Sequence, residues 1–130
     1  MQAWKIAFIS DKLKFSPEQA QIFWPVYNKY SSEVDEVRDS AKSIMRNYKK
    51  NKSLMSETEL GGMIDNKLKT DQLYLELKIK YVKDFNEIIS NSQLIELYNA
   101  EEGFKREVLR EIRKGGKRKY YAPPPPPINN

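Results

Sequence analysis

The stretch Phe15-Ser16-Pro17-Glu18-Gln19 decides the fold, because its pattern returns 74 residues later as Ile89-Ser90-Asn91-Ser92-Gln93. Both copies read apolar, Ser, x, x, Gln, which is the pattern of a helix start. The serine hydroxyl accepts from the backbone N–H three residues on, the glutamine reaches back to the serine N–H, and the preceding apolar residue closes over the first turn. A proline at the first helical position costs no hydrogen bond there. Both serines are therefore predicted to be structural helix caps.

The helix that opens at Ser16 carries the clearest periodicity of the chain. Pro25 falls inside it and removes one hydrogen bond, so we expect a bend rather than an end. The polar run Lys49 to Ser53 is expected to break the pattern. Such a long apolar seam needs a partner helix of similar length, and its residues are spaced by alternating steps of three and four: Ala20, Phe23, Tyr27, Tyr30, Val34, Val37, Ala41, Ile44 and Tyr48.

Three further helices follow from the same reasoning. Residues 4 to about 13 fit a short amphipathic helix. A third capping box, Ser56-Glu57-Thr58-Glu59, opens a long helix that ends near the second copy of the motif, and a last helix runs from Ser90 to Gly115-Gly116. The expected fold is all-α, with one short and three longer helices in an elongated domain over residues 1–114. Residues 115–130, which are basic and proline-rich, are expected to form a disordered tail.

The helix from Ser56 has two lines of apolar residues. It is therefore expected to touch more than one neighbour. The line taken as its main seam is Leu60, Ile64, Leu68, Leu75, Ile79, Val82, Phe85 and Ile89, and a second line broadens it with Leu73, Tyr74, Leu77, Tyr81 and Ile88.

Several kinds of chemistry are excluded by composition. The chain has no cysteine and no histidine, which removes thiol catalysis, imidazole bases and nearly all transition-metal sites. Its carboxylates come without a nucleophile, a glycine loop or an apolar pocket signal. The net charge of +5 is carried by the two ends of the chain, unlike the basic stripe of a nucleic-acid reader. We predict no enzyme, no catalytic residue, no metal, no cofactor, no nucleic acid and no small-molecule substrate.

Aromatic and methionine side chains are the remaining resource for binding. They make adaptable contacts of low selectivity where a helix leaves them partly exposed, although at helical spacing they are more often core residues. Trp24 and Met45 share one heptad phase beside the seam of the second helix and are candidates for a second apolar stripe, and Met55 and Met63 belong to the same class.

The paired motifs resemble the twin LTxxQ motifs of the Spy/CpxP family of periplasmic helical proteins. The segment downstream of the first box, Phe23-Trp24-Pro25-Val26-Tyr27-Asn28-Lys29-Tyr30, is similar to the branch common in Bacteroidetes. So is the segment after the second box, Leu97-Tyr98-Asn99-Ala100-Glu101-Glu102-Gly103-Phe104-Lys105-Arg106-Glu107-Val108-Leu109-Arg110. The resemblance covers about residues 4 to 114. This chain has Phe-Ser and Ile-Ser in place of Leu-Thr, lacks the histidines of the metal-sensing relatives, and adds the polyproline tail. The missing histidines argue against zinc or nickel sensing.

The resemblance implies a curved helical hairpin, often an antiparallel homodimer, without enzymatic activity. It implies a periplasmic location with the signal peptide removed, and a role in the envelope stress response. The motif residues carried over are the cap residues of the two boxes, Phe15, Ser16, Gln19, Ile89, Ser90 and Gln93.

Two functions stay open at this stage. One is an ATP-independent chaperone that binds unfolded clients, with Trp24, Met45, Met55 and Met63 as candidate client contacts. The other is a dedicated regulator that binds one membrane signalling protein, of the anti-sigma or sensor-kinase type or a sensor of ECF-type sigma factors. A third, less favoured reading is an intracellular adaptor whose polyproline tail docks in an aromatic groove. A homodimer is expected, because the long seams carry more apolar surface than a thin monomer covers.

Overall fold

The protein is all-α. A computed structural model describes residues 2–114, in which four α-helices and no strand occur: α1 (Gln2–Leu13), α2 (Pro17–Asn51), α3 (Glu57–Asn86) and α4 (Asn91–Arg113). A 3-10 turn, Lys52–Leu54, links α2 to α3. The predicted all-α fold with one short and three longer helices is confirmed. The polyproline tail prediction lies outside the described residues.

The helices begin where the three capping boxes place them, and they end at tight turns. α2 continues through Pro25 and extends to Asn51, so the polar residues from Lys49 onward do not break it as expected. Between α1 and α2, Lys14 adopts a left-handed conformation with φ of 54°, and its N–H donates to the Ser10 carbonyl at 3.0 Å. This is a common way to end a helix, because it satisfies a carbonyl of the last turn.

Contacts divide the described residues into two compact units, and the first combines residues 2–24 and 85–114. Within the described part of this unit, α1 packs along α4. The ring of Phe104 lies 5.3 Å from that of Trp4 and 5.8 Å from that of Phe8. The rings of Phe23 and Phe85 lie 5.6 Å apart and close the core where α2 begins and α3 ends. Ten buried residues form this core: Ile9, Leu13, Phe23, Trp24, Phe85, Ile89, Leu94, Leu97, Ala100 and Phe104.

The second unit, residues 25–84, is built from the remaining lengths of α2 and α3. The two helices run antiparallel around the short turn at Lys52–Leu54, and the rings of Tyr30 and Tyr81 lie 5.3 Å apart. Tyr27, Tyr30 and Tyr81 are buried, whereas no residue from 31 to 80 is buried. Two helices alone cannot enclose a core, so most of this unit is held by half-buried side chains.

The predicted seam of α2 is confirmed, because every one of its nine residues is buried or half-buried. The predicted main seam of α3 holds at its two ends but is wrong in the centre of the helix. Its four central members are exposed, while the inner, half-buried line is the one that contains Met63, Tyr74 and Leu77 and leads to buried Tyr81. The two lines lie on different sides of the helix, and periodicity alone does not tell which side faces α2.

Candidate functional site

Both repeated motifs form complete capping boxes. In the first, Ser16 Oγ accepts from the Gln19 N–H at 3.0 Å, and Gln19 Oε1 accepts from the Ser16 N–H at 3.1 Å. In the second, Ser90 Oγ accepts from the Gln93 N–H at 3.1 Å, and Gln93 Oε1 accepts from the Ser90 N–H at 3.0 Å. These hydrogen bonds show that all four residues cap helices, as the sequence predicts.

The two glutamines also bind each other across 74 residues of sequence. Gln19 Nε2 donates to Gln93 Oε1 at 3.0 Å, and Gln93 Nε2 donates back to Gln19 Oε1 at 3.2 Å. Each amide nitrogen makes one more bond, from Gln19 to the Ile88 carbonyl and from Gln93 to the Leu13 carbonyl, both at 3.2 Å. We call this set of side-chain bonds of Gln19 and Gln93 the glutamine clasp.

The glutamine clasp uses the full hydrogen-bonding capacity of both amides, which is two donors and two acceptor positions each. It satisfies the carbonyl of Leu13, the last residue of α1, and that of Ile88, two residues beyond the end of α3. The residue spacing predicts the capping boxes, but it does not predict that Gln19 and Gln93 bind each other. The one available signal was the repetition of the motif itself.

The apolar members of the motifs also lie in the core of the first unit. Ile89 is buried, and Phe15 packs its ring 4.7 Å from that of Phe23 and 5.9 Å from that of Trp24. Trp24 is only 7% exposed, because Phe15 and Phe23 cover it. The prediction that Trp24 forms part of an exposed client-binding stripe is therefore wrong.

The other candidate client contacts lie in the second unit with unequal exposure. Met45 is 46% exposed, whereas Met55 and Met63 are half-buried. Met45 has the same heptad phase as Trp24 but is far more exposed. Of the predicted pair, Trp24 is therefore buried and only Met45 is accessible to solvent.

A polar bridge joins α2 and α3 within the second unit. The Tyr81 hydroxyl donates to Glu33 Oε2 at 2.5 Å, and Lys80 Nζ donates to Glu33 Oε1 at 3.2 Å. Burial, followed by the hydrogen bond to Glu33, raises the pKa of Tyr81 to about 12. The hydrogen bonds from Tyr81 and Lys80 lower the pKa of Glu33. Both groups thus keep their ordinary charge at neutral pH and link the helices rather than exchange protons.

The largest uncovered apolar surface described in the second unit is on α3. Ile64, Leu68, Leu75 and Ile79 are each 57–65% exposed. Their spacing of four, seven and four residues places them on one side of the helix. We call these four residues the α3 face. Charged and polar pairs flank it without covering it, such as Lys67 with Asp71 at 2.8 Å.

Residues 2–114 contain no group of three or more acidic side chains placed to hold a metal ion. No helix in that range is long and apolar enough to cross a membrane. Comparison of the chain with protein-family models, with curated proteins and with solved structures finds no match.

Proposed function

We propose that this protein is a non-enzymatic chaperone that binds unfolded clients without nucleotide or metal. The observation that carries the proposal is the α3 face, four large aliphatic side chains left open on a helix of balanced charge. Contiguous apolar patches of this kind mark binding surfaces in proteins that otherwise stay dispersed. Aliphatic contacts without fixed polar partners also discriminate little between ligands, as a chaperone requires.

The resemblance of the paired motifs to the Spy/CpxP family supports the same function and a periplasmic location. The proposal also includes a homodimer. In this dimer a second copy of the chain covers the α3 face. An unfolded client would then bind to the α3 face by displacing that copy. Met45 is the methionine that we propose as an additional client contact, since it is the most exposed of the candidates.

The test is suppression of aggregation after a chemically denatured protein is diluted into buffer of low salt. Stoichiometric wild-type protein should reduce light scattering without ATP. The double variant Leu68→Gln with Leu75→Gln should lose most of this effect. The matched control is Ile22→Gln with Ile95→Gln, which changes two residues of similar exposure outside the α3 face, and it should act like the wild type.

Two outcomes would count against the proposal. Unchanged scattering with wild-type protein would defeat the chaperone reading and favour the alternative, a regulator that binds one membrane signalling protein. Equal losses in the test and control variants would show that the α3 face is not the client surface. Circular dichroism of each variant must match the wild type, which is expected because all four side chains are exposed.

A further inference from the structure

A groove between α1 and α4 has no role in the fold or in the proposed function so far. It is open to solvent and has a volume of about 730 Å³, and its apolar lining comes from Phe8, Ala100 and Leu109. It follows α4 from Glu96 to Arg113, a length of about 26 Å at 1.5 Å per residue. A stretch of seven or eight extended residues has about the same length.

Gly103 lines this groove beside the ring of Phe8. A Cβ at this position would lie 3.4 Å from Phe8 Cζ and 3.8 Å from Arg106 Nη2. A larger side chain would therefore project over the ring of Phe8 and occupy the space between the two helices. A Cβ at Gly62 in α3 would have no other atom within 4 Å. Gly62 is therefore a matched control position, at which a larger side chain meets open space.

The groove carries an excess of positive charge. Lys12, Arg106, Arg110 and Arg113 line it against only two carboxylates, Glu96 and Glu107. Arg110 pairs with Glu107. Arg106 and Arg113 have no carboxylate partner among the described residues.

The charge is not evenly spread along the groove. The three arginines lie on one side of α4, spaced by four and three residues. They occupy the end toward the C-terminus of α4, whereas Glu96 lies toward the other end. Like charges at this spacing repel each other, so an anionic ligand would relieve an unfavourable interaction as well as form new ones.

We propose that this groove binds an acidic peptide segment of an unfolded client, with carboxylates at the arginine end and an apolar side chain against Phe8 and Leu109. This inference rests on the proposed function and names the kind of client segment. Arginine forks pair with carboxylates through two parallel hydrogen bonds, and the apolar lining suits an aromatic or aliphatic side chain. An extended peptide can follow the groove and contact both Phe8 and the arginines, whereas a flat bilayer surface matches the concave shape less well, so the shape favours a peptide over a membrane.

The experiment uses the full chain and two fluorescein-labelled nine-residue peptides. One contains Phe and two Leu followed by three Glu, and the other has Gln in place of each Glu. Fluorescence anisotropy at low salt should show binding of the acidic peptide, at least tenfold weaker binding of the Gln peptide, and loss of affinity as salt is raised.

Two independent variants locate the site. Arg106→Gln with Arg113→Gln should weaken binding of the acidic peptide at least tenfold, whereas Lys69→Gln with Lys83→Gln, which removes the same charge from α3, should change it less than twofold. Gly103→Leu should weaken binding of both peptides, and Gly62→Leu should not. If Gly103→Leu fails to fold, the arginine pair alone decides the question.

The outcomes separate this inference from the proposed function. Suppression of aggregation without binding of the acidic peptide would overturn the groove site only. Peptide binding without suppression would support the groove and overturn the chaperone. Equal binding by the arginine variant and its control, or arginine-dependent binding to anionic phospholipid vesicles without peptide binding, would overturn the proposal.

Discussion

The substitution Gln19→Glu tests the glutamine clasp without removing the helix cap. A glutamate still offers an oxygen to the Ser16 N–H, as Glu59 does in the third capping box, where its Oε1 accepts from the Ser56 N–H at 2.8 Å. It lacks the amide nitrogen that donates to Gln93 Oε1 and to the Ile88 carbonyl. The exchange thus removes two part-buried hydrogen bonds and points a charged oxygen at two carbonyl oxygens.

The expected loss follows from these two bonds. A hydrogen bond contributes about 0.5–1.5 kcal/mol net, so the free energy of unfolding should fall by about 2 kcal/mol, and more if the carboxylate repels both acceptors. With an m value of about 2 kcal/mol per molar, the urea midpoint should drop by about 1 M. The control is Glu59→Gln, the reverse exchange in a box whose glutamate makes no bond to a distant partner; it should change stability by no more than about 0.5 kcal/mol.

The loss in Gln19→Glu should also depend on pH. Because the introduced carboxyl faces carbonyl oxygens, its pKa in the folded state should lie above the unfolded value of about 4.3. A raised pKa favours the protonated form in the folded state, so the deficit relative to wild type should shrink as pH falls through the folded pKa. The protonated group again has a hydrogen to donate. An unchanged urea midpoint at pH 7, or a deficit that stays constant down to pH 4, would refute this account of the glutamine clasp.

Three further predictions concern caps, pH and assembly. Ser90→Ala should cost about 1 kcal/mol in urea unfolding with no direct loss of a client contact; lost aggregation suppression with unchanged melting would show that Ser90 is more than a cap. Because the pKa of Tyr81 is raised to about 12 in the folded state, its contribution to stability is complete below about pH 10 and is lost between pH 10 and 12. Urea midpoints should therefore fall less steeply over that range in Tyr81→Phe than in wild type, and parallel curves would contradict the raised pKa. Sedimentation at micromolar concentration should show a species of twice the 15.3 kDa chain mass, and Leu68→Glu should return it to the monomer; a wild-type protein that sediments only as a monomer would rule out the dimer.

Local sequence signals predicted the helices and their starts well. A capping box involves atoms only three residues apart, so Ser16, Ser56 and Ser90 could be assigned without knowing the rest of the fold. The seam of α2 was equally clear, because one side of that helix carries nearly all its apolar residues. Such signals involve residues that are close together along the chain, so the sequence alone is enough to identify them.

Features that depend on contacts between distant parts of the chain could not be predicted from the sequence. On α3, the line through Leu68 and the line through Tyr74 have similar periodicity, and only the position of α2 decides which becomes half-buried. Trp24 shares the phase of Met45, yet Phe15 from the preceding turn covers it. The contact between Gln19 and Gln93 depends on where two distant turns lie, which neither motif encodes by itself.

The glutamine clasp has a consequence for the order in which the chain folds. Joining two residues 74 positions apart closes a long loop, at an entropic cost of about 4 kcal/mol beyond a constant. Once Tyr30 has met Tyr81, only eleven residues on one side and twelve on the other still separate the two glutamines, and the cost of closing falls by about 1 kcal/mol. Because the link between α2 and α3 at Lys52–Leu54 is short, we expect the antiparallel pair to form before the glutamine clasp closes. If so, mutations in the glutamine clasp should speed unfolding far more than they slow folding.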